Sequence, residues 1–341
     1  MTKTAPLFDL FCGAAALGIL LLGLPYAEGY LGGRVTLAHS LRSLWSYDQW
    51  QHCWLVLPAL GVILYAQRKQ LAGLTARGTY GGLLVLMMAC AIYWAGYRVE
   101  NYYVGFLSLH LMVGGLILWL GGWHWLRALA FAYAFLVFVW PLYFLENSIT
   151  FPLRMVMANA SAAVLNLLGV PAVVNGTGIV SAPEPLVGLR AGERFRVDVA
   201  DPCSGIRSLF ALMMIAALYA HFMLKTWWQK AILFAASIPL AMLGNLARIL
   251  MLTFGIMTLG PEIAIRSDPL KDPSLFHMLA GYLVFTIALG GMILLALLLA
   301  ALRDGNSWAR KAPSEPAKQD LPEIDEIGSR GLPSNPRGDL Y

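Results

Sequence analysis

Eight apolar runs, each close to the length of a membrane-spanning helix, constrain the fold of this chain more than any other feature. A helix needs about 20 mostly apolar residues to cross a bilayer. Only 13% of the residues are charged and 59% are hydrophobic, whereas an average soluble domain carries about 25% charged residues. We therefore predict an all-α polytopic membrane protein with about eight transmembrane helices. The runs cover residues 7–26, 53–67, 80–97, 105–122, 127–145, 206–224, 231–257 and 277–302.

Basic residues orient these helices, because cytoplasmic loops carry an excess of Lys and Arg. If the N-terminus is cytoplasmic and the helices alternate, ten basic residues fall on the cytoplasmic side and five in the short outer loops. This bias predicts that both termini are cytoplasmic. It also accounts for the net charge of +5 without a nucleic-acid partner. The ten are Lys3, Arg68, Lys69, Arg77, Arg127, Lys225, Lys230, Arg303, Arg310 and Lys311, and the five are Arg34, Arg42, Arg98, Arg266 and Lys271.

The long outer loop, residues 146–202, is expected to hold a helix and a small β element. Residues 150–168 are typical of a helix that lies on the membrane surface or packs against the bundle. Within 171–202, the runs VVNGTGIV and FRVDVA favour short strands, and the second alternates polar and apolar residues. Asn175-Gly176 is a good turn dipeptide, an interpretation that we prefer to a glycosylation site at the same position. A small extracytoplasmic β element should thus precede helix six.

The ends of the chain lie outside this core. Residues 1–302 are predicted to form the integral membrane domain, and the first apolar run lacks an A-x-A-like cleavage site, which favours a retained helix over a signal peptide. Residues 303–341 are rich in Pro, Ser, Gly and charge. Such a segment cannot bury enough apolar surface to fold alone, so we expect a disordered cytoplasmic tail.

Three chemically capable residues fall at one depth under this topology. Cys203 lies where helix six begins on the outer side, and His277 opens helix eight on the same side. Arg248 lies 18 residues beyond Lys230, which is about 27 Å along a helix and close to the far side of a ~30 Å hydrocarbon core. Polar residues at such positions are costly and are functional candidates by default.

These residue types together favour acyl transfer through a thioester. A thiolate is a strong nucleophile, and an imidazole can take its proton and later protonate a leaving amine. A helix N-terminus favours the thiolate form of Cys203. A guanidinium such as that of Arg248 stabilises an oxyanion, and Gly205 permits close approach of a substrate backbone.

Taken singly, each residue also has a structural explanation. Cys203 is equally consistent with a small buried residue, or with a disulfide to Cys53. Arg248 is consistent with an interfacial anchor, and His277 with a helix cap or a headgroup contact. Cys12 and Cys90 lie inside apolar runs and are expected to be packing residues.

Three other functional classes remain as alternatives. A transporter or channel needs polar residues along a central path, and the inner halves of these helices carry very few. A thiol–disulfide enzyme usually has a C-x-x-C pair, which the sequence lacks. A metal hydrolase lacks any H-E-x-x-H-like spacing, so we expect no metal and no cofactor. The residues available to such a metal site are Asp48, His52, Asp268, Asp272 and His277.

Four sequence elements resemble the exosortase/archaeosortase family of multi-spanning cysteine transpeptidase-like enzymes. The elements are PCSGIRSL at 202–209, LGNLARI at 243–249, the helix start at His277, and YDQWQHCWLVLP at 47–58. In the last element Cys53 stands where a glycine is more usual in the family. The order and spacing of the main elements cover most of residues 40–300.

The resemblance implies a site and a substrate class. It implies that Cys203 is the nucleophile, His277 the acid/base and Arg248 the stabiliser of an oxyanion or substrate carboxylate. The supporting residues that it implies are Ser204, Gly205, Asn245, His52 and Asp48.

The implied substrates are secreted proteins with a C-terminal tail made of a Pro-Glu-Pro-like motif, an apolar helix and a basic end. The implied enzyme lies in the bacterial inner membrane, with its active site on the periplasmic face. It would cut at the motif and transfer the new C-terminus to a cell-surface acceptor, in systems that accompany exopolysaccharide production. Membrane lipid surrounds it, and the β element is available to bind an extended peptide at its edge.

Overall fold

The computed structural model describes residues 7–29, 32–47, 50–141, 148, 151–198, 206–265 and 274–311. Within these ranges the chain is mostly helical, with two small antiparallel sheets. In the described residues each of the eight apolar runs overlaps a helix, although the first run continues into a strand at Pro25. Helices are expected where a bilayer requires every backbone group to be satisfied within the segment. The prediction of a mostly helical chain with several spans is therefore confirmed, and the all-α membrane part remains a prediction.

The helices and strands are numbered here in chain order. The helices are α1 (Leu7–Gly18, continued by a π-helical turn Ile19–Gly23), α2 (Leu37–Trp45), α3 (Cys53–Ala72), α4 (Tyr80–Arg98), α5 (Tyr102–Leu120), α6 (Gly122–Ala128), α7 (Ala130–Phe135, continued by a 3-10 turn Leu136–Val139), α8 (Phe151–Leu167), α9 (Ile206–Met223), α10 (Trp227–Leu259), α11 (Pro261–Ala264) and α12 (Leu275–Lys311). The strands are β1 (Pro25–Glu28), β2 (Arg34–Thr36), β3 (Ala172–Asn175), β4 (Gly178–Ser181) and β5 (Arg196–Asp198).

Four or five of the predicted spans are long and apolar enough to cross a membrane. Helices α4, α5, α10 and the Leu275–Leu302 part of α12 satisfy both conditions in the described residues. Helix α3 ends in the polar run Gln67–Gln70, and the apolar parts of α1 and α9 are shorter than 18 residues. The total of eight spans, and the orientation of the helices, remain predictions.

The predicted span at 127–145 differs from the observed structure. Helices α6 and α7 meet at an angle of 63° and count as one broken span or a re-entrant loop. Gly122 begins α6 with φ +76°, and a side chain there would collide with the carbonyl of Arg77. The start of α6 is therefore in close contact with the α3–α4 connection, which apolar composition does not reveal.

The β1–β2 hairpin was not predicted from the sequence, and its buried anchor is Tyr26. The Tyr26 hydroxyl donates to the Tyr93 carbonyl of α4 at 2.8 Å. Side chains at Gly96 or Gly105 would collide with the Tyr26 ring or hydroxyl, so these glycines admit the hairpin to the α4–α5 pair.

The loop before α9 contains the predicted helix and the predicted β element. Helix α8 covers most of 150–168, and β3, β4 and β5 form a three-stranded antiparallel sheet in that order. Asn175 pairs with Gly178 around a two-residue turn whose first residue, Gly176, has φ +62°. Both parts pack on α10 through a shared apolar cluster, whose buried members include Met157, Ala158, Leu165, Ile179, Phe195, Val197, Ile249 and Ile256. Their placement outside the membrane remains a prediction.

The C-terminal part of the chain forms its own unit. Contacts divide the chain into residues 1–300 and 301–341. Helix α12 continues to Lys311, past the predicted start of the tail at 303. Residues 312–341 lie outside the described part, so the disorder of the tail remains a prediction.

Candidate active site

Arg248 and His277 meet where α10 and α12 pack together. Nη2 of Arg248 lies 2.8 Å from Nε2 of His277, and only 5% of His277 is exposed. The two residues are 29 positions apart, so their contact depends on the packing of two long helices. Sequence reasoning placed them at one depth, and the structure brings their side chains into direct contact.

The contact determines which ring nitrogen of His277 carries the hydrogen. A guanidinium carries only donors and stays protonated in proteins, so Arg248 donates and Nε2 accepts. The ring of His277 is therefore neutral in this arrangement, with its hydrogen on Nδ1. Nδ1 is buried and has no hydrogen-bond partner within the described ranges.

Ser274 holds His277 in place, and sequence reasoning missed it. The Ser274 hydroxyl accepts from the backbone N–H of His277 at 3.1 Å and donates to the carbonyl of Ala264 at 2.8 Å. Ser274 is 4% exposed and directly precedes α12, which is the usual place and residue type for an N-cap. One hydroxyl thus ties the start of α12 to the end of α11. A serine three positions before His277, at the start of an apolar run, was a usable signal.

Two glycines let α12 approach α10 at this level. A side chain at Gly255 of α10 would lie 2.5 Å from a ring carbon of Phe276. A Cβ at Gly281 of α12 would lie 3.4 Å from Cζ of Arg248. The guanidinium therefore lies over Gly281, one helical turn beyond His277, and a methyl group there would be in van der Waals contact with it.

Asn245 lies one turn before Arg248 on α10 and faces the same small cavity. It is 4% exposed, and its Nδ2 has no hydrogen-bond partner in the described part of the chain. The cavity is about 30 Å³ and is lined by Ser208, Asn245, Arg248 and Gly281 among others. That volume holds about one water molecule. Ser208, five residues after Cys203, is a second polar residue that sequence reasoning did not assign to the site.

The predicted nucleophile and its neighbours lie outside the described residues. These are Cys203, Ser204 and Gly205, together with Asp48. Helix α9 begins at Ile206, which agrees with the helix start expected at Gly205–Ile206. Ser208, in the first turn of this helix, lines the same cavity as Arg248.

His52 lies in a different environment from His277. Its ring stacks on Phe210 with a centroid separation of 5.8 Å and an interplanar angle of 8°, and it lines a second cavity. Its neighbour Cys53 is a free, buried thiol, 3.8 Å from His52 Nε2. The free Cys53 thiol does not support the alternative of a disulfide to Cys203.

A metal centre has no support in the described residues. No group of three or more His, Cys, Asp or Glu side chains there is close enough to hold an ion. Asp48, Asp268 and Asp272 lie outside that part of the chain. His52 and His277 line no cavity in common among those described.

Comparison with known protein families gives a match over most of the chain. A family model described as transmembrane exosortase matches residues 44–294 of the chain. The searches of curated proteins and of solved structures found no match. The matched range includes Cys203, Arg248 and His277.

Proposed function

The chain belongs to the transmembrane exosortase family, and on that premise we propose that it is a membrane-embedded cysteine protease or transpeptidase. Its substrates are secreted proteins whose C-terminal tail carries a short motif, an apolar helix and a basic end. The enzyme cuts at the motif through a thioester and passes the new C-terminus to a cell-surface acceptor. The buried contact between Arg248 and His277 is the observation that carries the proposal, because it joins a permanent cation and a proton carrier.

The proposed setting is the bacterial inner membrane, with eight spans and both termini in the cytoplasm. The active site then faces the periplasm, where α9 begins and α12 begins. A substrate tail anchored in the same bilayer reaches this level by lateral diffusion. The basic residues of the cytoplasmic loops support this orientation.

We assign the first step to Cys203, His277 and Arg248. The thiol proton of Cys203 passes to Nε2 of His277, and the sulfur attacks the scissile carbonyl carbon. For Nε2 to accept that proton, the Arg248 donor must leave it. The guanidinium has five N–H donors in a fixed fork, so a small movement transfers its hydrogen bond from the imidazole to the developing oxyanion.

The second step releases the tail and forms the thioester. The C–N bond breaks, and His277 gives its proton to the leaving amine nitrogen. An acceptor amine or hydroxyl, or water, then attacks the thioester carbonyl, loses its proton to His277 and frees the Cys203 thiol. We assign to Asn245 a donor role at the same carbonyl oxygen, since this residue lines the cavity beside Arg248 and its Nδ2 is buried.

The edge of the small sheet is the proposed binding surface for the motif. β5 is the terminal strand of the sheet, and four residues separate Asp198 from Cys203. The Phe195 carbonyl accepts from Ser181 N–H of β4, so the backbone groups of Arg196 and Asp198 point toward the other edge. An extended peptide that adds to this edge forms main-chain hydrogen bonds close to the nucleophile.

The test is processing of a substrate in the cell. The enzyme is co-expressed with a tagged secreted protein from the same genome that ends in motif, apolar helix and basic residues, and the tail is followed by immunoblot. We expect Cys203→Ala to abolish processing while the protein remains in the membrane. The matched control is Cys90→Ala, since Cys90 is a free, exposed thiol on α4. Equal processing by wild type and Cys203→Ala would remove Cys203 as the nucleophile.

A further inference from the structure

A second cavity, of about 370 Å³, lies on the opposite face of α9 from Arg248. Ser208 and Leu212 line the small Arg248 cavity, whereas Phe210, Met213 and Ala217 line the larger one. At 3.6 residues per turn these two sets fall on opposite sides of the helix. The other walls come from the segment before α3, from α7 with its 3-10 turn, and from α10.

The wall of this cavity is almost entirely hydrocarbon. Seven of its twelve lining residues are Phe or Trp, and His52 is the one titratable residue among the twelve. The indole N–H of Trp140 is turned to His110 Nδ1, at 3.1 Å, and the His52 ring lies flat on Phe210. Apart from the indole N–H of Trp50, which has no hydrogen-bond partner in the described part of the chain, the wall offers little to replace the hydrogen bonds that a polar ligand makes with water. Cavities of this kind stay dry and bind apolar molecules, as a cavity of about 150 Å³ binds benzene.

The size of the cavity fits a single extended hydrocarbon chain. Phe210 and Ala217 are seven residues apart, which is about 10 Å along α9. On the scale set by benzene, 370 Å³ holds a chain of about 15 carbon atoms.

We propose that this cavity binds one acyl chain of a membrane phospholipid. Helices α9 and α10 and the bent α6–α7 segment belong to the apolar part of the chain, so the bilayer supplies such chains directly. An empty cavity lined by carbon forfeits dispersion contacts, and a lipid tail restores them without any dehydration cost. The cavity lies on the other face of α9 from Arg248, and its test does not depend on activity.

Photolabelling by a lipid tests the proposal. The full-length protein is placed in vesicles of phosphatidylethanolamine and phosphatidylglycerol that contain a little phosphatidylcholine with a diazirine in its acyl chain. After irradiation, labelled peptides are mapped by mass spectrometry. We expect adducts on Phe210 and Met213, and also on Trp94, which is exposed on α4 and reports ordinary bilayer contact.

Variants that fill the cavity are compared with the wild-type protein. Ala217→Phe places a ring in the cavity, and the adducts on Phe210 and Met213 should fall several-fold while those on Trp94 persist. Ala134→Phe fills the same cavity from α7 and should reduce the same adducts. Agreement between the two variants shows that the loss of label does not come from misfolding of one of them. The control Ala91→Phe adds the same ring on the exposed face of α4 and should change nothing at α9.

Two results would overturn the proposal. One is labelling of Phe210 and Met213 that is unchanged in both filled variants. The other is labelling of these residues by a synthetic apolar helix carrying a photoactivatable leucine, with no label from the lipid. The second result would identify the cavity as a peptide site.

Discussion

Arg248 donates to the imidazole of His277 across 2.8 Å, and this hydrogen bond joins the middle of α10 to the first turn of α12. Three other residues maintain this contact between α10 and α12. Ser274 fixes the start of α12, Gly281 leaves room for the guanidinium, and Gly255 admits Phe276. The site is thus built by two helices, and its geometry responds to changes in either one.

Arg248→Lys should strongly reduce processing of a tailed substrate. Lysine keeps the charge, but its compact ammonium lacks the planar fork that lets Arg248 move its hydrogen bond from His277 to an oxyanion. Loss of one oxyanion donor typically costs about 10²–10³ in rate, which quantifies the expected effect in a time course of tail cleavage. Arg98→Lys, at the exposed end of α4, is the control. Full activity of Arg248→Lys would show that charge alone suffices and would remove the proposed movement.

Ser274→Ala should lower the rate of processing by more than its effect on stability explains. The substitution removes both hydrogen bonds of the hydroxyl, to His277 N–H and to the Ala264 carbonyl. Loss of an N-cap typically costs about 1 kcal/mol of stability, and here it also frees the turn that carries the imidazole. Ser274→Thr keeps the hydroxyl and should restore the rate.

The control for Ser274 is another helix cap. Thr226 begins α10 with a capping box, so Thr226→Ala costs a similar amount of stability at the end of the helix remote from Arg248. Melting temperature and cleavage rate are measured for both variants. If Thr226→Ala loses as much activity as Ser274→Ala, the role of Ser274 is stability alone.

The helices were predictable from the sequence, whereas the contacts that pack one helix against another were predictable only in part. A bilayer forces apolar runs into helices, so α4, α5, α10 and α12 follow from composition. The role of Ser274 could be predicted, because a helix cap is a local sequence signal. The role of Gly281 could not be predicted, because it depends on which face of α12 meets Arg248.

The other differences from sequence reasoning have similar causes. The β1–β2 hairpin has strands of four and three residues, too short to show a period. The break between α6 and α7 falls at Leu129, between two helical segments, and no Gly or Pro at that position announces it. Cys203 remains a prediction, because it lies outside the described residues.

Gly82→Ala should destabilise the α4–α5 pair. A methyl group there would collide with the backbone of Trp119 on α5, and overpacking of this kind costs typically about 1–3 kcal/mol. Gly81→Ala is the matched control, because its nearest neighbour would be Thr79 Oγ1 at 3.9 Å. Alanine there gains up to about 1 kcal/mol of helix propensity. In thermal unfolding of the detergent-solubilised protein, the melting temperature of Gly82→Ala should fall below that of wild type, and that of Gly81→Ala should not. Equal melting temperatures for Gly82→Ala and wild type would mean that α4 and α5 pack less closely.

Arg196→Pro should impair processing without unfolding the small sheet. Pairing of Phe195 with Ser181 turns the Arg196 N–H away from β4, so proline removes a donor from the free edge and leaves the ladder intact. Arg196→Ala removes the side chain but keeps that donor, and it should process the substrate normally. Val197→Pro breaks the ladder itself and should lower stability as well as activity. Melting temperature and tail cleavage, measured for all three variants, separate the effects. If Arg196→Pro cleaves the tail as fast as Arg196→Ala, the motif does not bind by strand addition at β5, and the substrate must reach Cys203 along another surface.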